Sequence, residues 1–580
     1  MSEPSFVLDA YAARSCELKT VNAFTPGLVA PQRETRLPGF FHDAGAVEED
    51  VFGRLRSGSG TIVDLRGLRG AASEEQEAAA LRALADGVDL IVSPLLPRDW
   101  DAHRAGRPSL LVRLADGYVP VLVKFHRVLE TCSIEQPGVQ VSTLDDPLAL
   151  LELPGRRFRW SSRLRAALQV AHHWRLLEKS GYAASRARAG LIGTERLTPP
   201  GSVSRSQRPV ITWLDLDAPL AAPGPDAAPG PASVSTLARY DDEHARRVEL
   251  ASGALGATPG WTPPAPVVHR ECTFCPWSEI CAARLPDDDL SKAISKAPLD
   301  PHEIRTLRAL GVASVTDLAR ADLDALLVGY LPQVEHREGG EGRLRLAQRR
   351  ARLIASEVEL ERTSVGPVEL PRHELEIDLD IETSAGDHAY LWGFHVDDLA
   401  TGVSGYQGFG RFEHLDAAGE RALAAEAFAW LRSVTAGRDA AVYHYSDYEV
   451  LRIQRLAAGL REKGLGPVDA EGRDPDEPAA LADWICAFAE DRFIDLFPVV
   501  KGHFFGANGL GLKVVASAGA GFHWRDDTPG GLASQTWFSD AVDAPTASER
   551  DAARTRVLEY NEDDVRATWH LRRWLRTLTD

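Results

Sequence analysis

The chain has 580 residues, 44% of them hydrophobic and 26% charged, which fits a water-soluble protein too long for one hydrophobic core; three or four domains are expected. A formal net charge of −19 excludes indiscriminate polyanion binding and leaves any nucleic-acid contact to local basic patches. No run approaches the roughly eighteen apolar residues of a membrane span, six cysteines do not make a disulfide framework, and the N-terminus lacks a basic segment followed by an apolar one, so a cytoplasmic location is expected.

In chain order, the first chemistry-bearing residue is Cys16 in YAARSCELKT. Residues 108–130, PSLLVRLADGYVPVLVKFHRVLE, alternate as a hairpin with its turn at Ala115-Asp116-Gly117, and a helix follows over Arg163 to Ser180. Arg156, Arg157, Arg159, Arg163 and Arg165 form a basic cluster there. Residues 215–235 are rich in Pro, Gly and Ala without periodicity and read as a loop inside the first domain. Beyond it, HRECTFCPWSEIC carries Cys272, Cys275 and Cys281 in a C-x2-C-x5-C spacing suited to metal ligation. Cys16 is the early candidate for a fourth thiolate, and sulfur ligands admit zinc or an iron-sulfur cluster. Cys132 and Cys486 read as a loop thiol and a core thiol.

Next, Ile304, Leu307 and Leu310 have helical spacing, Gly311 ends that helix, and Ser314-Val-Thr-Asp opens another. This helix-hairpin-helix pattern either holds a phosphate backbone at a helix N-terminus or is plain packing. A second basic cluster, Arg343, Arg345, Arg349, Arg350 and Arg352, follows; like the first, it reads as a solvated helix face or a phosphate contact.

From about residue 374 three strands, ELEIDLDIET, HAYLWGFHVDD and GVSGYQGFG, form an antiparallel meander. Helices then alternate with single strands: AAEAFAWLRSV, AAVYHY, DYEVLRIQRLAAGL, FIDLF and a last helix through VLEYNEDDVRATWHLRRWLRTL. That is an RNase H-like α/β layout. Residues 466–479 and 525–546 read as polar surface loops, and Asp495 as a helix cap. On the first strand Asp380 and Glu382 point the same way while Ile381 faces oppositely, so the pair can bridge cations of a two-metal phosphodiester site. On the last helix Tyr560 and Asp564 share a face; a tyrosine there orients the attacking water and the aspartate ligates metal. No G-x-S-x-G elbow supports serine-hydrolase chemistry. The absence of a G-x4-G-K-[ST] loop leaves unwinding to a helicase in trans.

These motifs carry two resemblances. D-x-E at Asp380/Glu382 and Y-x3-D at Tyr560/Asp564 resemble the DEDDy exonucleases of the RNase H-like superfamily. That resemblance makes Glu449 in SDYEV the second-motif acid, with Asp447 in reserve. It implies Mg²⁺ or Mn²⁺ at Asp380, Glu382, Glu449 and Asp564. Cys16 with the C-x2-C-x5-C triplet resembles the iron-sulfur staple of RecB-like and AddB-like nucleases of the PD-(D/E)XK superfamily, which favours a [4Fe-4S] cluster over zinc. In that family the hairpin carries an Asp and then (D/E)-x-K, and the next helix Q-x3-Y. Here Ser109, Leu122, Lys124, Gln169 and His173 stand at those places, so the resemblance implies a catalytically inactive or much weakened nuclease fold.

The whole chain resembles proteins identified as predicted RecB-family nucleases. Implied are an α/β multidomain architecture: a PD-(D/E)XK-like Fe-S domain over 1–291, a helix-hairpin-helix-like connector over 292–365 and an RNase H-like domain over 366–580. The implied function is an exonuclease of 3′-5′ type on single-stranded or frayed DNA, with DNA favoured over RNA. Arg343, Arg345, Arg349, Arg352 and Arg163 would contact the strand. The alternatives are a non-catalytic nucleic-acid-binding scaffold with a structural cluster, or an RNA exonuclease.

Overall fold

The computed structural model describes residues 6–31, 47–55, 60–136, 138–144, 146–158, 160–198, 208–219, 234–256, 260–334, 339–465, 477–527 and 530–579. It divides into two compact units, Met1–Pro266 with Arg270–Arg284, and Val267–His269 with Leu285–Asp580. The helical stretch expected as a separate connector over 292–365 is grouped with the second unit. Most of the Pro- and Gly-rich loop at 215–235, and Arg159, lie outside the described residues.

The first unit is built on strands β1 (Ile62–Asp64), β2 (Leu90–Val92), β3 (Leu110–Leu114), β4 (Gly117–Val123), β5 (Val139–Thr143), β6 (Leu151–Leu153), β7 (Arg188–Ile192) and β8 (Val210–Asp215). Their order in the sheet is β1-β2-β3-β4-β7-β8-β5-β6. The hairpin forms where the alternation places it, as the antiparallel pair β3 and β4. Its turn is held by Asp116, which accepts the Ser185 backbone N–H at 2.9 Å. Helix α2 (Trp160–Lys179) buries Ala167, Val170, Ala171 and Trp174 in the same core as Val119, Val121 and Leu191. Helices α1 (Glu17–Phe24) and α3 (Thr236–Ala254) pack together through Leu18, Val21 and Leu250.

In the second unit, α4 (Pro301–Ala309) and α5 (Val315–Arg320) begin with capping boxes, Asp300 with Glu303 and Ser314 with Asp317. Gly311 joins them at φ +84°, the left-handed conformation glycine permits without strain. With α6 (Leu323–Tyr330) and α7 (Gly340–Ala355) they close a core of Ile304, Leu307, Leu318, Tyr330 and Leu344.

The arginines of α7, expected to face solvent or phosphate, divide: Arg345, Arg349 and Arg352 are exposed, whereas Arg343 is half-buried and Arg350 buried. Arg343 Nη2 lies 2.7 Å from the buried Glu303, Arg345 pairs with Glu341 and Asp324, Arg349 with Glu361, and Arg352 donates to the Ala319 carbonyl. Their carboxylate partners lie far apart in sequence except Glu341, so nothing local announces the pairing.

The rest of the unit is a five-stranded sheet of β9 (Leu375–Thr383), β10 (Ala389–Asp398), β11 (Val403–Gly410), β12 (Ala440–His444) and β13 (Phe493–Asp495), in the order β11-β10-β9-β12-β13. β9, β10 and β11 are antiparallel, while β12 and β13 run parallel to β9, as the meander and the later single strands predict. Helices α8 (Ala417–Thr435), α9 (Tyr448–Lys463) and α10 (Glu477–Arg492) cover one face through Leu423, Phe428, Ile453, Leu456 and Ile485. Beyond α11 (Leu512–Ala518), the stretch 525–546 is not the expected surface loop but contains α12 (Gly531–Asp543). Trp537 and Phe538 bury against Tyr390 and Leu391, outweighing the flanking Gly, Pro and Asp residues that suggested a loop. Of 466–479, residues 466–476 lie outside the described residues and 477–479 already belong to α10.

The last helix, α13 (Ala547–Leu575), crosses β9 and β10. β9 reads Glu376-Ile-Asp378-Leu-Asp380-Ile-Glu382, with Ile377, Leu379 and Ile381 in the core and every acid on the opposite face. At one end Arg572, wholly buried, donates to Asp378 through Nε at 3.1 Å and Nη2 at 2.8 Å, and to Glu376 through Nη1. Arg576, one turn on, lies 2.7 Å from Glu376 and 3.0 Å from the Tyr443 hydroxyl.

Removing one partner of such a buried network leaves an uncompensated charge. Arg572→Met is therefore expected to destabilise the protein by roughly 3–5 kcal/mol. Urea unfolding followed by tryptophan fluorescence will show it; a change within error would mean the network does not hold α13 to the sheet.

Candidate functional site

At the other end of the same acidic face, β9 presents Asp380 and Glu382, and α13 crosses them with Tyr560, Asn561 and Asp564. Asp380, Glu382 and Asp564 each offer an oxygen within 4.8 Å of the others. Each acid is held by a donor from another element. Asn561 Nδ2 donates to Asp380 Oδ2 at 2.7 Å, Ser534 Oγ lies 2.6 Å from Glu382 Oε2, and Trp524 Nε1 donates to Asp564 Oδ1 at 2.6 Å. Lys513 Nζ, from α11, reaches the Tyr560 hydroxyl at 2.9 Å and Asp564 Oδ1 at 3.1 Å.

Glu449 lies in the first turn of α9 and is buried, whereas Asp447, its alternative, is exposed. Its Oε2 is 3.6 Å from His444 Nδ1, too far for a hydrogen bond, and has no hydrogen-bond partner among the described residues. It sits outside the 4.8 Å group, yet close enough that its charge acts on Asp380.

Burial, followed by the charges of Asp564, Glu382 and Glu449, drives the Asp380 carboxyl well above the usual carboxylate range. Burial and Asp564 push Glu382 up to about 7 despite the Ser534 hydrogen bond. Burial also raises Glu449, opposed by His444. The Tyr560 phenol is driven far above its ordinary value by burial and then by Asp564, Glu382 and Asp380. Four carboxylates face one ammonium, so the site is short of positive charge, and oxygen ligands in this arrangement suit a hard divalent cation.

The sequence reading set Asp380, Glu382, Glu449 and Asp564 as one metal-holding group with Tyr560; the structure brings Asp380, Glu382 and Asp564 together and leaves Glu449 outside that group, and the reading missed Lys513, Trp524, Asn561 and Ser534. Only Asn561 carried a local signal, adjacent to Tyr560 on the last helix. The others come from segments that show no periodicity toward the site. Asp495 is a cap, accepting the Phe497 N–H at 2.8 Å, and it also accepts the Ser446 N–H at 2.9 Å.

In the first unit, Cys16 precedes α1, Cys272 lies in the turn Arg270–Phe274, and Cys281 in the helix Ser278–Ala282. Cys16 and Cys281 pack on the same small cluster of Leu18, Val21 and Leu250. The six cysteines are not disulfide-bonded. Burial pushes the Cys16 thiol up to about 11, opposed by the Leu18 and Lys19 backbone N–H groups, with Glu271 and Cys272 raising it further. Asn22 Nδ2 is 3.6 Å from Cys281 Sγ, and burial, with lesser contributions from Cys275 and Cys272, raises that thiol. Cys16 thus lies near Cys281, but among the described residues the cysteines do not form a group of three or more with ligand atoms within 4.8 Å of one another.

Ser109 Oγ accepts the Val123 N–H at 3.1 Å, Leu122 is buried in the core, and Lys124 meets Gln169. Arg163 is partly exposed near the start of α2.

A family model described as RNase_H superfamily matches residues 378–576. No curated protein and no solved structure matches the chain. The C-terminal part is accordingly RNase H-like, a fold typical of metal-dependent nucleases that use ions such as Mg²⁺ or Mn²⁺ and bind nucleic acid. Among the described residues no helix is long and apolar enough to cross a membrane.

Gly393 pairs with Asp380 across the sheet, and a Cβ there would stand 1.8 Å from Asn561 Oδ1. Gly393→Ala must therefore displace Asn561 from Asp380. Loss of such a supporting contact typically weakens metal binding by roughly ten- to a hundredfold; calorimetric titration with Mn²⁺ reads it, and unchanged affinity would show that Asn561 does not position Asp380.

Proposed function

We propose that this protein is a metal-dependent exonuclease of 3′-5′ type acting on single-stranded or frayed DNA ends, with the first unit as an iron-sulfur-stapled nucleic-acid platform. The observation that carries it is the convergence of Asp380, Glu382 and Asp564 within 4.8 Å, one helical turn from Tyr560. Asp380, Glu382 and Asp564 would hold Mg²⁺ or Mn²⁺, with Glu449 as the outer acid. Bound there, such ions would supply Lewis-acid activation of a water and charge stabilisation of the leaving oxygen.

The chain's own residues do the positioning. Tyr560 accepts a hydrogen bond from Lys513 and, as a phenol held far above its ordinary pKa, stays protonated. It therefore orients a water through its remaining lone pair and does not deprotonate it. Lys513 offsets part of the negative charge at Asp564, and Trp524 fixes the direction of that carboxylate. Buried neighbours such as Trp537, packed edge-on against Tyr560, keep the cluster in a low-dielectric setting where each contact counts for more.

In the first unit, Cys16, Cys272, Cys275 and Cys281 would hold a [4Fe-4S] cluster. The N–H groups of Leu18 and Lys19 at Cys16, and the Asn22 amide at Cys281, suit sulfurs that carry negative charge. Of the arginines expected on a strand, Arg163 suits the role, since Arg343, Arg345 and Arg349 are already paired.

With Mn²⁺ and end-labelled single-stranded DNA, Asp380→Ala and Asp564→Ala are each expected to lower cleavage by roughly a thousandfold. Wild-type rates in both variants would refute the site assignment, and preference for RNA of the same sequence would change the substrate. Glu449 outside the tight group is the observation that favours a non-catalytic scaffold instead; absence of any Mn²⁺ site by calorimetry would establish that reading. Cys275→Ser is expected to lose iron and visible absorbance while Mn²⁺ binding at Asp380 persists. Iron content equal to wild type would remove the cluster assignment.

A further inference from the structure

β10 and β11 each carry a glycine inside the strand, Gly393 and Gly408, and the two are cross-strand partners in the row of the sheet that holds Asp380. Glycine in a strand interior weakens it, and often marks a place where another group approaches closely. Here a Cβ on Gly393 would stand 1.8 Å from Asn561 Oδ1, and one on Gly408 would stand 2.8 Å from the Tyr406 hydroxyl. The paired glycines leave a bare strip on the acid face beside Asp380, and the Asn561 amide and the Tyr406 phenol fill it.

Tyr406 belongs to the neighbouring row, opposite His395, and comes from β11 at the edge of the sheet. Its side chain leans over Gly408, and its hydroxyl donates to Asn561 Oδ1 at 2.8 Å. The other end of the same amide, Nδ2, donates to Asp380 Oδ2 at 2.7 Å. Asn561 is wholly buried. Burial, followed by the charges of Asp380, Glu562 and Glu382, drives the Tyr406 phenol above its ordinary value, so the hydroxyl keeps the proton it donates.

The torsion that turns an asparagine amide is broad and weakly restrained. One hydrogen bond leaves that rotation open, whereas two at opposite ends of the amide stop it. Without the Tyr406 hydroxyl the buried Oδ1 loses its donor, a costly state, and the amide is free to turn away from Asp380. The two tyrosines of the site therefore serve different acids. Tyr560 shares Lys513 with Asp564, and Tyr406 reaches Asp380 through Asn561.

We propose that Tyr406 is a positioning residue for the cation site: it locks the Asn561 amide that aims Asp380, across a strip kept bare by Gly393 and Gly408. The inference rests on the reading of Asp380 as a metal ligand given above.

Calorimetric titration of the full chain with Mn²⁺ compares wild type, Tyr406→Phe, Asn561→Ala and the double variant. Tyr406→Phe is expected to weaken Mn²⁺ binding about tenfold. Once Asn561 is alanine the same change is expected to do nothing further, because effects along one relay do not add. Wild-type affinity in Tyr406→Phe overturns the relay. So does an equal loss in both backgrounds, which would mean that Tyr406 acts on the fold and not on Asp380.

Should Asn561→Ala fail to fold, Gly408→Ala takes its place in the cycle. Its methyl group displaces the same hydroxyl, so it must lower Mn²⁺ affinity alone and add nothing to Tyr406→Phe; an additive loss overturns the relay. If the wild type takes up no Mn²⁺, the metal reading falls, and the cycle is read instead as melting temperature in EDTA. There, non-additive losses keep the relay and additive losses overturn it.

Discussion

Four carboxylates on one face of one strand are the constraint from which the rest of the second unit follows. The alternation that buries Ile377, Leu379 and Ile381 forces Glu376, Asp378, Asp380 and Glu382 onto the opposite face, about 7 Å apart in sequence steps of two. Such a ladder cannot be buried without countercharge. α13 supplies it unevenly: Arg572 and Arg576 neutralise Glu376 and Asp378, while at Asp380 and Glu382 the same helix adds another acid, Asp564. The arginine end is therefore structural, and the acid end is left with an electrostatic demand that a bound cation would meet.

That division explains why supporting residues arrive from every side. Asn561, Ser534, Trp524 and Lys513 each donate to one carboxylate or its neighbour, and none supplies enough charge to neutralise the group. Donors fix the direction of the lone pairs without filling them.

Legibility in the sequence follows the same physics. Period-two alternation made β9 and its D-x-E readable, and the four-residue spacing made Tyr560 and Asp564 readable, because both depend on neighbours in the chain. Lys513 and Ser534 were not readable: the first stands near the start of a seven-residue helix, the second in a helix hidden between glycines and aspartates. The arginines of α7 were legible in part: Arg345, Arg349 and Arg352 are exposed as a basic helix face suggests, while the half-buried Arg343 meets Glu303 only after the chain has folded back.

Glu449 is the acid whose placement needs most from the fold. The segment before α9 supplies a distinct turn: Ser446 adopts φ +98°, a strained conformation for a non-glycine residue, and its N–H is pinned by Asp495 at the end of β13. His444 Nδ1 is directed to the Ser446 carbonyl at 2.7 Å, which leaves Glu449 Oε2 without a donor. A strained turn, anchored from a neighbouring strand, thus presents a buried carboxylate oxygen with no protein partner among the described residues. A cation reaching Asp380 and Glu449 together would give that oxygen the partner it lacks among the described residues.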